Sequence, residues 1–293
     1  MYPANFKVFI PKTLDEALEL LSKYGEDAKV LAGGHSLIPL MRLRLAKPKY
    51  IIYIGKIPGL SYIKEEGGVI KVGAMTTHGE IEGSSLLEAK NPLLKETASK
   101  IGDLQVRNMG TIGGSIAHAD PAADYPAALA ALDADVVVKS LREEKVMKVT
   151  EFIQGPYLTA LNPDELLVEV RVPALTGAFG TAYEKLFFRA TDFAIVGVAA
   201  LVELEGDGTF RRVRVGLTGV GEGPVRARGV EEELEGSRAS EEEIKKAAEK
   251  AKEGLNPPSD IRASSEYRRE MAVVLTRRAL LRALAKARER VQT

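Results

Sequence analysis

Two glycine-rich stretches dominate the organisation of this sequence: Ala32-Gly33-Gly34-His35-Ser36-Leu37 and Gly110-Thr111-Ile112-Gly113-Gly114-Ser115. The first follows a predicted strand over residues 29–32 and precedes a predicted short helix over residues 37–45. The second lies in a predicted turn over residues 109–115. Glycine permits φ > 0 and close backbone approach, so successive N–H groups can surround an anion, and a following helix N-terminus adds partial positive charge. Together the stretches could bind the pyrophosphate of one dinucleotide from opposite sides.

The same stretches also permit a purely structural interpretation. Most Gly-Gly pairs are ordinary turns. Neither stretch has the G-x-G-x-x-G pattern after a first strand that a Rossmann site requires, so that fold is disfavoured. On the residues alone, a pyrophosphate clamp and two unrelated turns both remain open.

The composition indicates a globular protein whose redox chemistry would need an organic cofactor. Hydrophobic residues make up 45% of the 293 residues, which is enough for a substantial core and favours two domains. Lys plus Arg and Asp plus Glu both total 41, so no net charge would draw the chain to nucleic acid or anionic lipid. With no Cys and three scattered His, neither an iron–sulfur cluster nor a zinc site is expected.

No apolar stretch reaches the roughly 20 residues that a membrane-spanning helix needs. The N-terminal residues also lack the charged start and apolar segment of a secretion signal. The sequence therefore predicts a cytoplasmic protein with no membrane span and no nucleic-acid partner.

The pattern along the chain predicts an α+β protein. Capping boxes at Thr13 with Glu16 and at Thr77 with Glu80 should open helices, and residues 50–54 and 69–72 are typical strands. Residues 91–101 and 122–132 have the composition of helices, the second with Pro126 in its first turn. Further strands are predicted over residues 135–140 and 166–172.

A change of pattern at Pro173-Ala174-Leu175-Thr176-Gly177 predicts the domain boundary. We expect one domain over residues 1–176, with lobes of about 1–55 and 56–176, and a second over residues 177–293. The second domain should contain a three-stranded antiparallel sheet over residues 182–188, 194–205 and 210–218, backed by a bundle of helices near 240–253 and 264–288. The charge-dense stretch over residues 231–252 is predicted to be a solvated helix face.

Taken together, the motifs resemble one protein family. The first stretch and the longer segment 107–115 look like the paired flavin motifs of the medium subunit of carbon monoxide dehydrogenase and its relatives in the xanthine dehydrogenase, or molybdenum hydroxylase, family. The resemblance continues through residues 118–124, 183–185 and 261–269, and so spans almost the whole chain. It implies a two-lobed FAD-binding domain of the vanillyl-alcohol-oxidase/PCMH type, followed by a C-terminal domain of the carbon monoxide dehydrogenase flavoprotein type. FAD is the implied cofactor.

The resemblance also implies which residues contact FAD. The positions that match phosphate-binding residues of the family are Ala32, Gly33, Gly34, His35, Ser36, Leu37, Gly110, Thr111, Gly114 and Ser115. Asp124 matches an acid that binds the ribityl or ribose hydroxyls, although the residues alone would make it a charge at a helix N-terminus. His118 lies between these motifs, where a flavin contact and a structural role are equally open.

Four further positions match residues near the cofactor. Ile101 matches an apolar neighbour, which could equally be helix core, and Leu161 matches a backbone contact with adenine. Lys185 and Phe193 match residues beside the isoalloxazine ring. A cation such as Lys185 would stabilise the reduced ring, but a salt bridge to Glu184 or another acid is an ordinary alternative. Phe193 stands where relatives carry Tyr, which leaves the electron acceptor open.

The implied function is electron relay within a heterotrimer. A large subunit with the molybdenum cofactor would oxidise the substrate, [2Fe-2S] clusters of a small subunit would carry the electrons, and FAD in this chain would pass them to an external acceptor. The alternatives are a stand-alone flavin oxidase or dehydrogenase, for which the second domain shows no cluster of His or Tyr, and a cofactor-free binding module. A chain that evolved among partner subunits should expose apolar patches.

Overall fold

In the computed structural model, which describes residues 2–291, the chain begins with a parallel sheet of order β1–β3–β2. Its elements in chain order are β1 (Lys7–Phe9), α1 (Leu14–Tyr24), β2 (Ala28–Leu31), α2 (Leu37–Arg42) and β3 (Tyr50–Tyr53). The Thr13 hydroxyl accepts the amide of Glu16, as expected of a helix cap, but the Glu16 carboxylate accepts the amide of Lys12. Only half of the predicted capping box is therefore present.

A five-stranded antiparallel sheet of order β4–β5–β10–β6–β7 forms the centre of the molecule. Its strands are β4 (Ile63–Glu66), β5 (Val69–Gly73), β6 (Asp135–Lys139), β7 (Glu144–Lys148) and β10 (Leu166–Pro173), and a small hairpin of β8 (Ile153–Gly155) and β9 (Leu158–Thr159) lies between β7 and β10 in sequence. Val137, Leu166 and Val168 of this sheet pack with residues of the N-terminal sheet in one apolar cluster. The two lobes therefore share a core.

Most of the helices near the central sheet lie between β5 and β6 in sequence. They are α3 (His78–Glu82), α4 (Ser85–Lys90), α5 (Pro92–Ser99), α6 (Leu104–Met109), α7 (Ile112–His118) and α8 (Asp124–Ala131), while α9 (Val149–Phe152) follows β7. The capping box of Thr77 and Glu80 is confirmed at the start of α3. Pro126 lies in the first turn of α8, as predicted, where its missing N–H costs no hydrogen bond.

Helix α8 is buried along its whole length, because it packs against the C-terminal sheet and against α5, α7 and α9. Close packing requires glycine on the facing strand. A Cβ at Gly216 would lie 2.0 Å from the carbonyl oxygen of Ala127. The helix that begins at Asp124 is thus fixed against both halves of the molecule.

The C-terminal sheet has four antiparallel strands rather than the three we predicted. They are β11 (Phe179–Leu186), β12 (Val196–Leu204), β13 (Phe210–Thr218) and β14 (Val225–Arg226). The fourth strand pairs Gly216 with Arg226 and Leu217 with Val225. A strand of two residues next to Gly223 and Pro224 is too short to show the alternation by which strands are recognised.

Three helices cover this sheet: α10 (Arg228–Leu234), α11 (Glu241–Ala248) and the long α12 (Ser265–Val291). Helix α12 approaches β11 so closely that a Cβ at Gly180 would lie 1.8 Å from the carbonyl oxygen of Ala283. The prediction that the charge-dense stretch over residues 231–252 is a solvated helix face is wrong at Glu231. Glu231 is buried, where it accepts the amide of Val215 and pairs with Arg226.

An ion-pair cluster joins the central and C-terminal sheets. Asp133, which follows α8, lies 2.5 Å from Arg226 and 3.4 Å from both Arg212 and Arg214. Burial raises the pKa of Asp133, but the guanidinium groups of Arg226 and Arg214 outweigh burial and hold the pKa below its ordinary value. Its stabilising contribution is therefore present above the ordinary Asp pKa and is lost as the pH falls through the lower native value.

We expect Asp133→Asn to lower the free energy of unfolding by about 1 kcal/mol at neutral pH, a modest value because solvent screens this half-exposed carboxylate. The difference from the wild type should shrink at acidic pH and at high salt. Urea unfolding at pH 2.5 and pH 7 measures it. Lys49→Met, which removes the exposed pair of Lys49 with Asp27, is the control and should leave stability unchanged. Equal stability of Asp133→Asn and the wild type at pH 7 would contradict this role for the cluster.

Candidate functional site

The two glycine stretches meet in the folded chain. A Cβ at Gly33 would lie 2.1 Å from the carbonyl oxygen of Met109 and 2.8 Å from the Cα of Gly110, and a Cβ at Gly114 would lie 3.8 Å from the Cβ of Ala32. The first stretch connects β2 to α2, and the second connects α6 to α7. Two segments that are far apart in sequence therefore form one continuous surface at the junction of the lobes.

The first stretch presents unpaired backbone donors. Within residues 2–291, the amides of residues 33–37 donate to no backbone or side-chain acceptor. Gly34 adopts φ +76°, which only glycine tolerates easily. The carbonyl oxygens turn into α2, where Gly34 accepts the amide of Ile38 and Ser36 accepts that of Leu40. Five consecutive N–H groups at a turn, with their carbonyls occupied elsewhere, suit an anionic ligand.

The second stretch is different, because all of its amides except that of Thr111 already donate hydrogen bonds within the protein. Thr111 caps α7, and its hydroxyl accepts the amide of Gly114 at 3.1 Å. The other amides donate to backbone carbonyls: Ile112 to Thr76, Gly113 to Ala74 and Ser115 to Thr111. The predicted turn over residues 109–115 is therefore wrong from Ile112 onward, since the glycines lie in the first turn of a helix.

Close packing explains these helical glycines. A Cβ at Gly113 would lie 2.5 Å from the Cβ of Ala74, so glycine is required there for contact with β5 rather than for a turn. What the second stretch still offers a ligand is the hydroxyls of Thr111 and Ser115. An anion at this junction would therefore meet amides on one side and hydroxyls on the other.

A cleft of about 380 Å³ opens beside the junction. Its lining comes from both stretches and from the segment after β3, with Ala32, Gly33, Tyr53, Ile57, Met75, Asn108, Met109 and Thr111 among its residues. A neighbouring cleft of about 410 Å³, lined by residues between Ser61 and Leu86, contains none of the predicted site residues. The first cleft is thus the one that the predicted loops form.

Asp124 and Lys185 form a buried ion pair that joins the two halves of the molecule. The Lys185 ammonium lies 2.9 Å from Asp124, and both side chains are at least 96% buried. The Tyr183 hydroxyl donates to the other carboxylate oxygen at 2.6 Å. Burial raises the pKa of Asp124 even though Lys185 and Tyr183 favour its charged form. Lys185 therefore pairs with an acid, as one alternative held, but Glu184 pairs with Arg282 instead.

Ile101 also lies near this ion pair. The Lys185 ammonium donates to the carbonyl oxygen of Lys100 at 2.9 Å, next to Ile101, which packs against the central core. Asp124 is the first residue of α8, so it also has the position of a helix N-terminal charge. The motif over residues 183–185 contains Tyr183, for which the sequence pattern predicted no role. A role for Tyr183 could have been predicted, because Tyr183 and Lys185 lie two residues apart on a strand and therefore point to the same face.

His118, Leu161 and Phe193 lie at less enclosed positions. His118 ends α7, and its ring centre lies 5.1 Å from that of Tyr157; burial lowers the pKa of His118. The amide of Leu161 donates to the Thr159 hydroxyl at 3.4 Å, just after β9. Phe193 is 43% exposed, in the loop between β11 and β12. Neither Leu161 nor Phe193 lines the cleft beside the glycine stretches.

One histidine beneath the second stretch was missed. His78 is buried, and its Nδ1 lies 3.2 Å from the Tyr125 hydroxyl. A Cβ at Gly110 would lie 2.6 Å from its Nε2. Burial, followed by the charges of His35 and Arg107, lowers the pKa of His78 to about 4, so it is neutral at physiological pH. No sequence pattern indicates a role for His78, because it follows a helix cap like any first-turn residue.

Two further findings concern metal binding and membrane insertion. Among residues 2–291, no three His, Asp or Glu side chains are grouped so that they could hold a metal ion. No helix in the same part of the chain is long and apolar enough to cross a bilayer.

Comparison with known proteins shows which families the two parts of the chain match. Residues 4–175 match the FAD binding domain in molybdopterin dehydrogenase, and residues 181–283 match the CO dehydrogenase flavoprotein C-terminal domain. The carbon monoxide dehydrogenase medium chain of Hydrogenophaga pseudoflava is 40% identical and is aligned over 98% of this chain and 99% of its own. The glyceraldehyde dehydrogenase medium chain of Sulfolobus acidocaldarius is 39% identical over 95% of this chain and 98% of its own.

A solved structure extends the agreement to the fold. Carbon monoxide dehydrogenase from Hydrogenophaga pseudoflava, in a form that lacks the Mo-pyranopterin moiety of the molybdenum cofactor, superimposes with a TM-score of 0.95 at 41% identity. The match covers 98% of this chain and 99% of that one. The protein therefore belongs to the molybdenum hydroxylase family, as an FAD-binding medium subunit of the carbon monoxide dehydrogenase type.

Proposed function

We propose that this oxidoreductase subunit binds FAD across the junction of the two glycine stretches and relays electrons from a partner subunit to an external acceptor. The observation that carries the proposal is the run of unpaired amides over residues 33–37, which lies against the second stretch at Gly33. Unpaired amides at a turn are suited to bind a pyrophosphate. FAD supplies the redox chemistry when it is bound, while the chain supplies binding, orientation and charge.

The residues divide into groups along the cofactor. In the proposal the phosphates lie at residues 32–37 and at the hydroxyls of Thr111 and Ser115, with Gly110 and Gly114 allowing close approach. Asp124 accepts ribityl or ribose hydroxyls through the lone pairs that Tyr183 and Lys185 leave free. Leu161 borders the adenine, and His118, Ile101 and Phe193 border the rest of the cofactor.

Lys185 is proposed to act on the flavin ring. Two of its three N–H groups go to Asp124 and to the carbonyl oxygen of Lys100, and the third has no partner among the described residues. Directed at the pyrimidine edge of the isoalloxazine, that N–H would stabilise negative charge on the reduced ring. The ion pair with Asp124 holds the ammonium in place.

The proposed assembly is a heterotrimer with a molybdenum-cofactor large subunit and a [2Fe-2S] small subunit. Support comes from the relatives, which are medium chains, and from the solved relative, a form of carbon monoxide dehydrogenase that lacks the Mo-pyranopterin moiety of its molybdenum cofactor. Tyr2, Leu43 and Leu45 are at least 60% exposed at the N-terminal lobe, which agrees with the apolar surface expected of a subunit. We further propose a boundary at residues 173–177 and a cytoplasmic location.

Cofactor analysis of the purified complex tests the proposal. Acid extraction should release about one FAD per chain, because one pyrophosphate site is formed, and molybdenum and iron should co-purify with it. A chain that remains colourless after incubation with FAD would overturn the assignment. A chain that oxidises a small molecule without molybdenum or iron partners would favour the stand-alone flavoenzyme instead.

A further inference from the structure

The buried guanidinium of Arg268 fastens two segments that continue into the proposed flavin site. Arg268 lies in the first turn of α12 and is 3% exposed. Its Nη1 donates to the carbonyl oxygen of Ile195 and, at 3.1 Å, to that of Gly219. Its Nη2 donates to Asp260 at 2.9 Å. One side chain therefore joins a helix, the loop before β12 and the end of β13.

The first bonded segment is the loop between β11 and β12. Ile195 follows Phe193 by two residues, and the amide of Ala194 donates to the carbonyl oxygen of Ala122 at 3.4 Å. Fixing the Ile195 carbonyl therefore limits the movement of Phe193. It also keeps the loop bonded to the segment that precedes Asp124.

The second bonded segment leads to Asp124 as well. The amide of Gly219 donates to the carbonyl oxygen of Pro121 at 2.9 Å, and the Thr218 hydroxyl contacts the carbonyl oxygens of Pro121 and Ala123 at 3.0 and 2.8 Å. Gly219 adopts φ +76°, and a Cβ there would lie 2.5 Å from the carbonyl oxygen of Ile195. Arg268 is thus one residue away, through Gly219, from the backbone that places the Asp124 carboxylate.

The side chain has the chemistry of a positioning residue. Only a planar guanidinium can donate to two carbonyls and a carboxylate from one fixed geometry. The Nε of Arg268 is buried without a partner, which is a cost that packing alone would avoid with an apolar residue. The sum of its contacts therefore points to a requirement for geometry rather than for burial.

We propose that Arg268 positions Phe193 and the Asp124 segment around the flavin. This inference rests on the proposed function. It adds a residue that would contact neither FAD nor a partner subunit. Loss of Arg268 should loosen the bound flavin through Phe193. The effects of substituting Arg268 and Phe193 on FAD release should therefore not be independent.

The test compares Arg268→Met with Arg269→Met in the purified complex. Arg269 is the matched control, because it has the same charge on the same helix but donates only to the carbonyl oxygen of Leu255. FAD release on dilution, followed by the fluorescence of free FAD, should be about tenfold faster in Arg268→Met, the effect of losing a charged hydrogen bond. The flavin reduction potential should shift in the same variant and stay unchanged in Arg269→Met.

Three further variants keep the test decisive. Gly219→Ala leaves Arg268 in place but displaces the Ile195 carbonyl, so it should also speed FAD release, and Arg268→Lys should show an intermediate rate. Phe193→Ala should speed release by itself and add little to Arg268→Met, since both act on one contact. Gly219→Ala and Arg268→Lys carry the test if Arg268→Met does not assemble.

Each outcome separates this inference from the proposed function. Absence of FAD from the wild-type complex would overturn the proposed function. A wild type that holds FAD and responds to Phe193→Ala, while Arg268→Met releases FAD like Arg269→Met, would overturn the role of Arg268 alone. Lower thermal stability of Arg268→Met with unchanged FAD release and potential would also overturn it.

Discussion

Gly33→Ala is expected to abolish FAD retention while the complex still assembles. The added Cβ would lie 2.1 Å from the carbonyl oxygen of Met109 and 2.8 Å from the Cα of Gly110. Both contacts are with backbone, which no side-chain rotation can relieve. The two stretches would have to separate, and the amides of residues 33–37 would then move away from the hydroxyls of Thr111 and Ser115. A site that must bind both ends of a pyrophosphate does not tolerate such a change.

The expected loss of FAD affinity is at least about tenfold, the equivalent of the 1–3 kcal/mol that overpacking typically costs. FAD extracted per chain measures it, and circular dichroism checks that the chain is folded. Gly206→Ala is the control, since that glycine has open space around its Cβ direction and an ordinary φ. Gly114→Ala should be milder, because the new Cβ meets a side-chain oxygen, that of Thr111, at 2.8 Å. Full FAD content in Gly33→Ala would refute the phosphate assignment.

Lys185→Met is expected to produce the largest loss of stability among single changes at the ion pair. It leaves the Asp124 carboxylate buried without its cation, and breaking a buried pair costs about 3–5 kcal/mol. It also leaves the carbonyl oxygen of Lys100 without its donor. Urea unfolding at pH 8 should show the loss, and the flavin reduction potential should fall, because no cation would then face the reduced ring.

The loss should depend on pH in a direction that the structure fixes. Burial already raises the pKa of Asp124, and removal of Lys185 raises the pKa further. Stability from proton uptake is fully present below the ordinary Asp pKa of about 4 and is lost as the pH rises through the raised native value. Lys185→Met should therefore be closer in stability to the wild type at pH 5 than at pH 8.

A second substitution isolates the charge. Asp124→Asn combined with Lys185→Met removes both charges, and at pH 8 the double variant should be more stable than Lys185→Met alone. The difference between the two variants should be smaller at pH 5, because the raised pKa of Asp124 favours proton uptake in the single variant as the pH falls. If the double variant is the less stable one at pH 8, burial of an unpaired carboxylate is not the cause.

The sequence was informative about the local elements and about the family. Capping at Thr77, the tolerance of Pro126 in a first turn and the strand over Phe210–Thr218 are set by neighbouring residues, so they could be predicted. The paired flavin motifs were specific because two stretches and several later segments matched together. A fourth strand of two residues and the helical glycines after Thr111 could not be found, because they depend on partners distant in sequence.

The contacts of the site residues depended on tertiary structure even more. Nothing local to Lys185 distinguishes Asp124 from Glu184 as its partner, and strand pairing and the position of α8 decide between them. The burial of His78 follows from the approach of Gly110, and that of Arg268 from two carbonyls that lie just before β12 and just after β13. Glycine stretches that looked equivalent also proved different, since the first retains five consecutive unpaired amides and the second only that of Thr111.

Electron flow through the complex tests the central claim most directly. In a stopped-flow experiment, substrates of the kinds oxidised by relatives would be mixed with the wild-type complex and with the flavin-free Gly33→Ala complex. We expect the iron–sulfur clusters to be reduced at similar rates in both, and reoxidation by the external acceptor to occur only in the wild type. Reoxidation at the wild-type rate in the flavin-free complex would contradict the assignment of this chain as the FAD relay.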